Sequence, residues 1–259
     1  MFFSNKQTQN LNEMQLTIKG TNIEIVEQER FLGVIFDNKL SWSQHVNQLS
    51  AKISRYSGIL YKLKGIDPHS VLKLLYNSFI QSHLNYCSTV WGLGSKNSLN
   101  KLFVSQKKAI RAIGNTYNNY FFDADTQETP CHTKIIFTQN EFLTVHNIVT
   151  KNTLVYMHKA YLNCLPNRIL QLFSAATANR PRREAVFFDT PFSRLASSDK
   201  IIRFKGPKLY NSAVNYVNKH ILLNCKYPNF QHRYVFGFLK IIQKYLTEEQ
   251  KRRRRLDKS

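Results

Sequence analysis

Apolar residues recur along this chain with two different periods, and the change between them divides the first 114 residues. In QLTIKGTNIEIVEQERFLGVIF, two short β-type runs flank Lys19-Gly20-Thr21-Asn22, which predicts a hairpin turn. Leu16/Ile18 and Ile23/Ile25 alternate, and Phe31 to Phe36 is continuously apolar, the pattern of a strand buried on both faces. Gly33 inside that run predicts a bulge or a close backbone approach. From Gln44 the step lengthens. Val46, Leu49, Ile53, Tyr56, Leu60 and Leu63 follow at intervals of three and four, an apolar arc of about 100° on a helix. Asp67-Pro68 reads as an N-cap with proline at the first helical position of a second helix. Leu72, Leu75, Tyr76, Phe79, Ile80 and His83 are its inward positions. A third helix begins after Asn97-Ser98, points Leu99, Leu102, Phe103, Ile110 and Ile113 inward, and stops at Gly114.

Beyond Gly114 the pattern loosens. NTYNNYFFDADTQETPCH is loop-like, and TQNEFLTVHNIVTKNTLVYMHKAYLNCLP predicts one or two packed helices ending at Pro166. RPRREAVFFDTPFSRLASSDKIIRF is irregular and basic, and GPKLYNSAVNYVNK opens a short helix with Pro207 at its start. NFQHRYVFGFLKIIQKYLTEEQKRRRR reads as a terminal helix running into charge. The fold class is mainly α with a small N-terminal β-hairpin, a three-helix bundle and a helical, basic C-terminal region.

Charge sharpens this division. The chain carries 37 Lys+Arg against 16 Asp+Glu, a net +21. Residues 1–43 are near neutral, 44–114 hold ten basic residues against Asp67 alone, 115–180 are near neutral, and 181–259 hold eighteen basic residues against six acidic. The segments are therefore an N-terminal β remnant (1–43), the helical bundle (44–114), a helical connector (115–180) and a basic C-terminal region with terminal helix and tail (181–259). Such an excess implies a polyanionic partner, foremost nucleic acid. Lys52, Arg55 and Lys62 project from the first helix, and Lys101, Lys108 and Arg111 form a stripe on the third, beside Lys107. Almost no carboxylate interleaves with them, which favours phosphate contact over a solvated face.

Catalytic signals are missing by contrast. Cys87, Cys131, Cys164 and Cys225 are scattered, so neither a zinc module nor a disulfide framework is indicated, and the chain reads as intracellular and reduced. The start MFFSNKQTQN is no signal peptide, and no apolar run is long enough to span a bilayer. No P-loop, G-x-S-x-G or H-E-x-x-H occurs. Asp123 and Asp125 are the closest aspartates, and a turn or cap explains them better than a metal. No catalytic residue, metal site, cofactor or small-molecule substrate is expected. Lys251 to Arg255 resembles a nuclear-localisation cluster.

The stretch FLGVIFDNKLSWSQHVNQLSAKISRYSGIL resembles the segment joining palm to thumb in reverse transcriptases of non-LTR retrotransposons, jockey-like and related elements. Leu32, Gly33, Asp37, Leu40, Trp42, His45 and Gly58 carry the likeness. It continues through LLYNSFIQSHLNYCSTVWG, with Tyr86, Trp91 and Gly92, and LNKLFVSQKKAIRAI, with Gln106, Lys107 and Arg111. IIRFKGPKLYNSAV, with Gly206, Pro207, Lys208 and Asn211, is similar to the sequence near the end of many such polyproteins. The likeness covers most of residues 13–246 and is closest over 31–113.

The resemblance implies an RNA-directed DNA polymerase whose thumb grips a template–primer duplex, RNA–DNA or DNA. Gly33, Asp37, Trp42, His45, Tyr86 and Trp91 would then be structural residues of the palm–thumb junction. That family's aromatic-x-Asp-Asp motif, which would bind magnesium, has no counterpart here, since Asp-Asp occurs nowhere in the chain. The chain is therefore expected to begin after the catalytic centre, to be inactive alone, and to partner nucleic acid and the absent palm and fingers rather than a membrane. A domesticated RNA- or DNA-binding protein and an unrelated helical interaction protein are the alternatives. A nuclear location follows from the basic tail.

Overall fold

Two positive-φ dipeptides shape the N-terminal region of the computed structural model, which describes residues 16–24, 26–66, 68–114, 133–175, 187–192 and 201–221. Strands β1 (Leu16–Ile18) and β2 (Thr21–Ile23) pair antiparallel across Lys19-Gly20, at φ 49° and 81°. Strands β3 (Gln28–Phe31) and β4 (Val34–Asp37) pair across Leu32-Gly33, at φ 46° and 81°. Positive φ at both central residues is the pattern of a type I′ turn, whose twist matches that of the strands it joins. This corrects the reading of Phe31 to Phe36 as one buried strand. Phe31 and Leu32 lie at a hairpin tip, 64% and 73% exposed, and only Val34 is buried. Gly33 marks no bulge; it supplies the left-handed conformation.

The bundle forms as its periodicity predicts. Helix α1 (Ser43–Leu63) buries Val46, Leu49, Ile53 and Leu60, while Tyr56 and Leu63 are half-buried. Helix α2 (His69–Leu75) starts one residue later than expected, with Pro68 as its N-cap; Asp67 lies outside the described residues. The chain then makes a π-helical segment (Tyr76–Gln81) and continues as α3 (Ser82–Asn85). Leu72, Tyr76, Ile80 and Leu84 are all buried, a strict step of four that an α-helix of 3.6 residues per turn would carry round its axis. The wider turn keeps these four in line and rotates Phe79 and His83 off the core. Both were expected inward; Phe79 is 43% exposed and His83 half-buried.

Helix α5 (Lys96–Gly114) completes the bundle, burying Leu99, Leu102, Ala109, Ile110 and Ile113. Helix α6 (Thr133–Gln139), which periodicity missed, packs on it: Phe103 and Phe137 rings lie 6.0 Å apart. A Cβ on Gly114 would come within 2.2 Å of Ile136, so the last residue of α5 must be small. These elements belong to one compact unit, the described residues of Met1–Cys87 and Gly94–Val145.

A second unit takes Ser88–Leu93 and the described residues from His146 onward. It contains α4 (Ser88–Trp91), α7 (Val145–Tyr161) beyond its first residue, α8 (Asn167–Leu170) and α9 (Ile202–Ile221). Its core gathers Leu154, Met157, Ala160, Phe188, Tyr210 and Ala213. Asn211 pins the 187–188 segment to α9: its Oδ1 accepts from the Phe187 and Phe188 amides at 3.1 and 3.2 Å, and its Nδ2 donates to the Phe188 carbonyl at 2.8 Å. Gly206 lies where a Cβ would meet the Met157 sulfur at 2.6 Å. Pro207 is inside α9, which begins at Ile202, not at the start of the helix. Burial brings the His158 imidazole down to about 4, matching its neutral pairing with the Tyr210 hydroxyl at 2.9 Å. Asp123, Asp125, the expected terminal helix and the Lys251–Arg255 cluster lie outside the described residues.

Candidate nucleic-acid interface

The turn from β4 into α1 is organised by one carboxylate. Asp37 Oδ1 accepts from the Ser41 amide at 2.7 Å and the Trp42 amide at 3.5 Å, and its Oδ2 accepts from the Ser41 hydroxyl. Those bonds hold Trp42 at φ 63°, a left-handed conformation costly for a bulky residue. The buried indole meets the Phe36 ring edge-on at 5.2 Å. One turn on, His45 is buried and its Nδ1 accepts from the Ile35 amide at 3.4 Å. Burial first, and the Lys52 charge second, lower the His45 pKa, which keeps the ring neutral and able to accept. Tyr86 reaches the same hairpin from beyond α3, donating to the Leu32 carbonyl at 2.6 Å. A Cβ on Gly33 would be in ordinary contact with that ring at 3.8 Å. Trp91 is buried too, but it belongs to the second unit. Changing Asp37 to Ala should cost the first unit about 1–2 kcal/mol, because a strained turn would lose its hydrogen bonds to an ionised group. An unchanged urea midpoint would show that Trp42 holds its conformation by packing alone.

From this anchored start, α1 runs beside α5. Lys101 Nζ donates to Asn47 Oδ1 at 2.6 Å, Ser50 and Ser105 hydroxyls meet at 2.7 Å, and Tyr61 donates to the Lys108 carbonyl at 3.2 Å. Partners rise together along both helices, so α1 and α5 run the same way, with α2 to α3 as the return. Lys101 and Lys108 therefore border the α1 side of α5, seven residues and about two turns apart. Arg111 follows on the same exposed face, and Arg55 and Lys62, also seven apart, are exposed on α1. Neither α1 nor α5 contains an acidic residue.

Two predicted residues fall elsewhere. Lys107 is half-buried with its ammonium 4.3 Å from the Phe103 ring centre, on the flank of α5 that meets α6. Lys52 is half-buried on the flank of α1 beside His45 and His83, whose pKa values its charge helps to lower after burial. Asn47 and Tyr61 were not singled out in advance. Their signal is the same two-turn spacing, since residues 47, 54 and 61 repeat along α1 as 101 and 108 do along α5.

Among the described residues, no cluster of three His, Cys, Asp or Glu could hold a metal ion, and no helix is long and apolar enough to cross a membrane. No protein-family model matches the chain, and no solved structure matches it. Two proteins do. The RNA-directed DNA polymerase from mobile element jockey of Drosophila funebris is 26% identical over 102 residues, and that of Drosophila melanogaster is 28% identical over 107. Each alignment takes in 38% of this chain and 11% of the relative, so the match spans about a ninth of those proteins. Over that part of its length, this mainly helical chain is similar to the RNA-directed DNA polymerases from mobile element jockey.

Proposed function

We propose that this chain is a nucleic-acid-holding part of a retroelement polymerase, which grips a template–primer duplex through the exposed cations of α1 and α5. The observation that carries the reading is the absence of any carboxylate on those two helices while Arg55, Lys62, Lys101, Lys108 and Arg111 are exposed on them. A duplex held by its phosphates needs cations on rigid elements and no anions that would repel it. Asn47 supports the reading by holding Lys101 across the helix pair. The Asp-Asp pair expected to bind catalytic magnesium does not occur in this chain, so nucleotide addition would fall to palm and fingers acting with it. The basic cluster at Lys251 to Arg255 fits action in the nucleus.

The purified chain should bind RNA–DNA and DNA duplexes of unrelated sequence, and log affinity should fall linearly with log salt. It should extend no primer when magnesium and nucleotides are supplied. Binding that ignores salt would remove the phosphate grip, and primer extension by the pure chain would place a catalytic centre here after all.

A further inference from the structure

Three near-parallel rings lie on the flank of α1 away from α5. Tyr56 stacks on Phe79 with centroids 5.2 Å apart and planes 18° apart, and on His83 at 5.7 Å and 19°. The column is not ordinary core. Its Phe79 member is 43% exposed, although the segment it belongs to buries Tyr76 and Ile80 completely. What turns Phe79 outward is the π-helical segment, a costly irregularity that is frequent at functional sites. Lys52 precedes Tyr56 by one helical turn, on the same flank, and its charge is felt at the His83 ring. The whole stretch from residue 44 to 114 has Asp67 as its one acidic residue.

We propose that the Phe79–Tyr56–His83 column is a stacking platform for the unpaired bases of a single nucleic-acid strand, with Lys52, at the His83 end of the column, set for a backbone phosphate of the same strand. A nucleobase is flat and apolar on its faces and its strand carries an anion at every nucleotide, which matches a column with an exposed ring at one end and an ammonium at the other. Stacking of this kind is tolerant of sequence, because every base offers a π-face. A duplex, whose bases are already stacked, gains little from such a platform. The column lies off the duplex-gripping face, because Tyr56 is about 100° round α1 from Arg55 and about 120° from Lys62. Either face can therefore bind without the other.

The test uses the full chain and two variants, F79L, which keeps apolar bulk and loses the ring, and F79W, which enlarges the ring. Binding of fluorescent oligo-dT and oligo-U is compared with binding of a blunt DNA duplex, and circular dichroism melting checks folding. F79L should weaken single-strand binding by about 5- to 150-fold, the range of one base stack removed. F79W should bind single strands at least as well as the native chain, and duplex affinity should change by less than about twofold in both variants. Wild-type single-strand affinity retained by F79L overturns the platform. Equal losses on single strand and duplex, in F79W as in F79L, also overturn it by assigning Phe79 to packing. A native chain that binds duplex but no single strand removes the platform and leaves the duplex grip intact.

Discussion

Replacing Gln106 with Leu should destabilise the first unit by about 2–6 kcal/mol, although the change makes its core more apolar. Gln106 is fully buried near the middle of α5. Its Nε2 donates to the Tyr76 hydroxyl and the Leu143 carbonyl, each at 2.8 Å, and its Oε1 accepts from the Val145 amide at 2.9 Å. All three partners are buried, and the Tyr76 and Phe142 ring centres lie 4.3 Å apart with planes tilted by 41°. Leucine satisfies none of them. Each buried group left without a partner costs about 1–3 kcal/mol, which outweighs the gain from burying a larger apolar side chain. Burial holds the Tyr76 phenol far above its ordinary range, so it cannot compensate by ionising. Gln106→Glu should also destabilise, since a carboxyl group offers no N–H to the Leu143 carbonyl and a buried charge is costly to desolvate. Urea unfolding and exchange of the Val145 amide measure the effect. A loss below about 0.5 kcal/mol would show that water replaces the amide.

The second large effect concerns binding. Changing Lys101, Lys108 and Arg111 together to Gln should flatten the log–log salt slope for a B-form duplex by up to about 2.7, or about 0.9 for each phosphate that is no longer neutralised. The three positions are exposed on α5, so the bundle should remain folded. Lys107→Gln is the internal control. Its ammonium lies over Phe103 on the other flank, and its removal should leave the slope unchanged. Ile53→Ala is the opposite control, costing about 2–5 kcal/mol at a position with no solvent exposure. If the triple variant binds duplex with the native slope, the α5 stripe is a solvated face.

Much of the bundle was legible in the residue pattern, because α1 and α5 are amphipathic helices whose apolar stripes follow from a 3.6-residue turn. Val46, Leu49, Ile53, Leu60, Leu99, Leu102, Ile110 and Ile113 are buried as their spacing requires. The Asp37-to-His45 turn was legible as a cluster of unusual residues, but its hydrogen bonds were not. The turn at Leu32-Gly33 is not legible in the sequence, because a turn inside an apolar run has the pattern of a strand, and only the pairing of Phe31 with Val34 reveals it. The helix Thr133–Gln139 leaves no sign in the sequence, because seven residues are too few for a period to declare itself.

Residue spacing and identity were enough for the helical bundle, the absence of carboxylates from α1 and α5, and the partial likeness to the polymerases of a mobile element. Only the tertiary structure decided which cations share a face. It set Lys101 and Lys108 beside α1, left Arg111 exposed, drew Lys107 onto an aromatic ring, and left Lys52 on the far flank with His83. It also decided that Gln106, which any hydropathy pattern would send to the surface, is buried with three hydrogen-bond partners. The reason is common to these cases. Periodicity tells how a helix is divided into faces, but which neighbour covers each face, and which polar groups that neighbour brings, depends on residues distant in the chain.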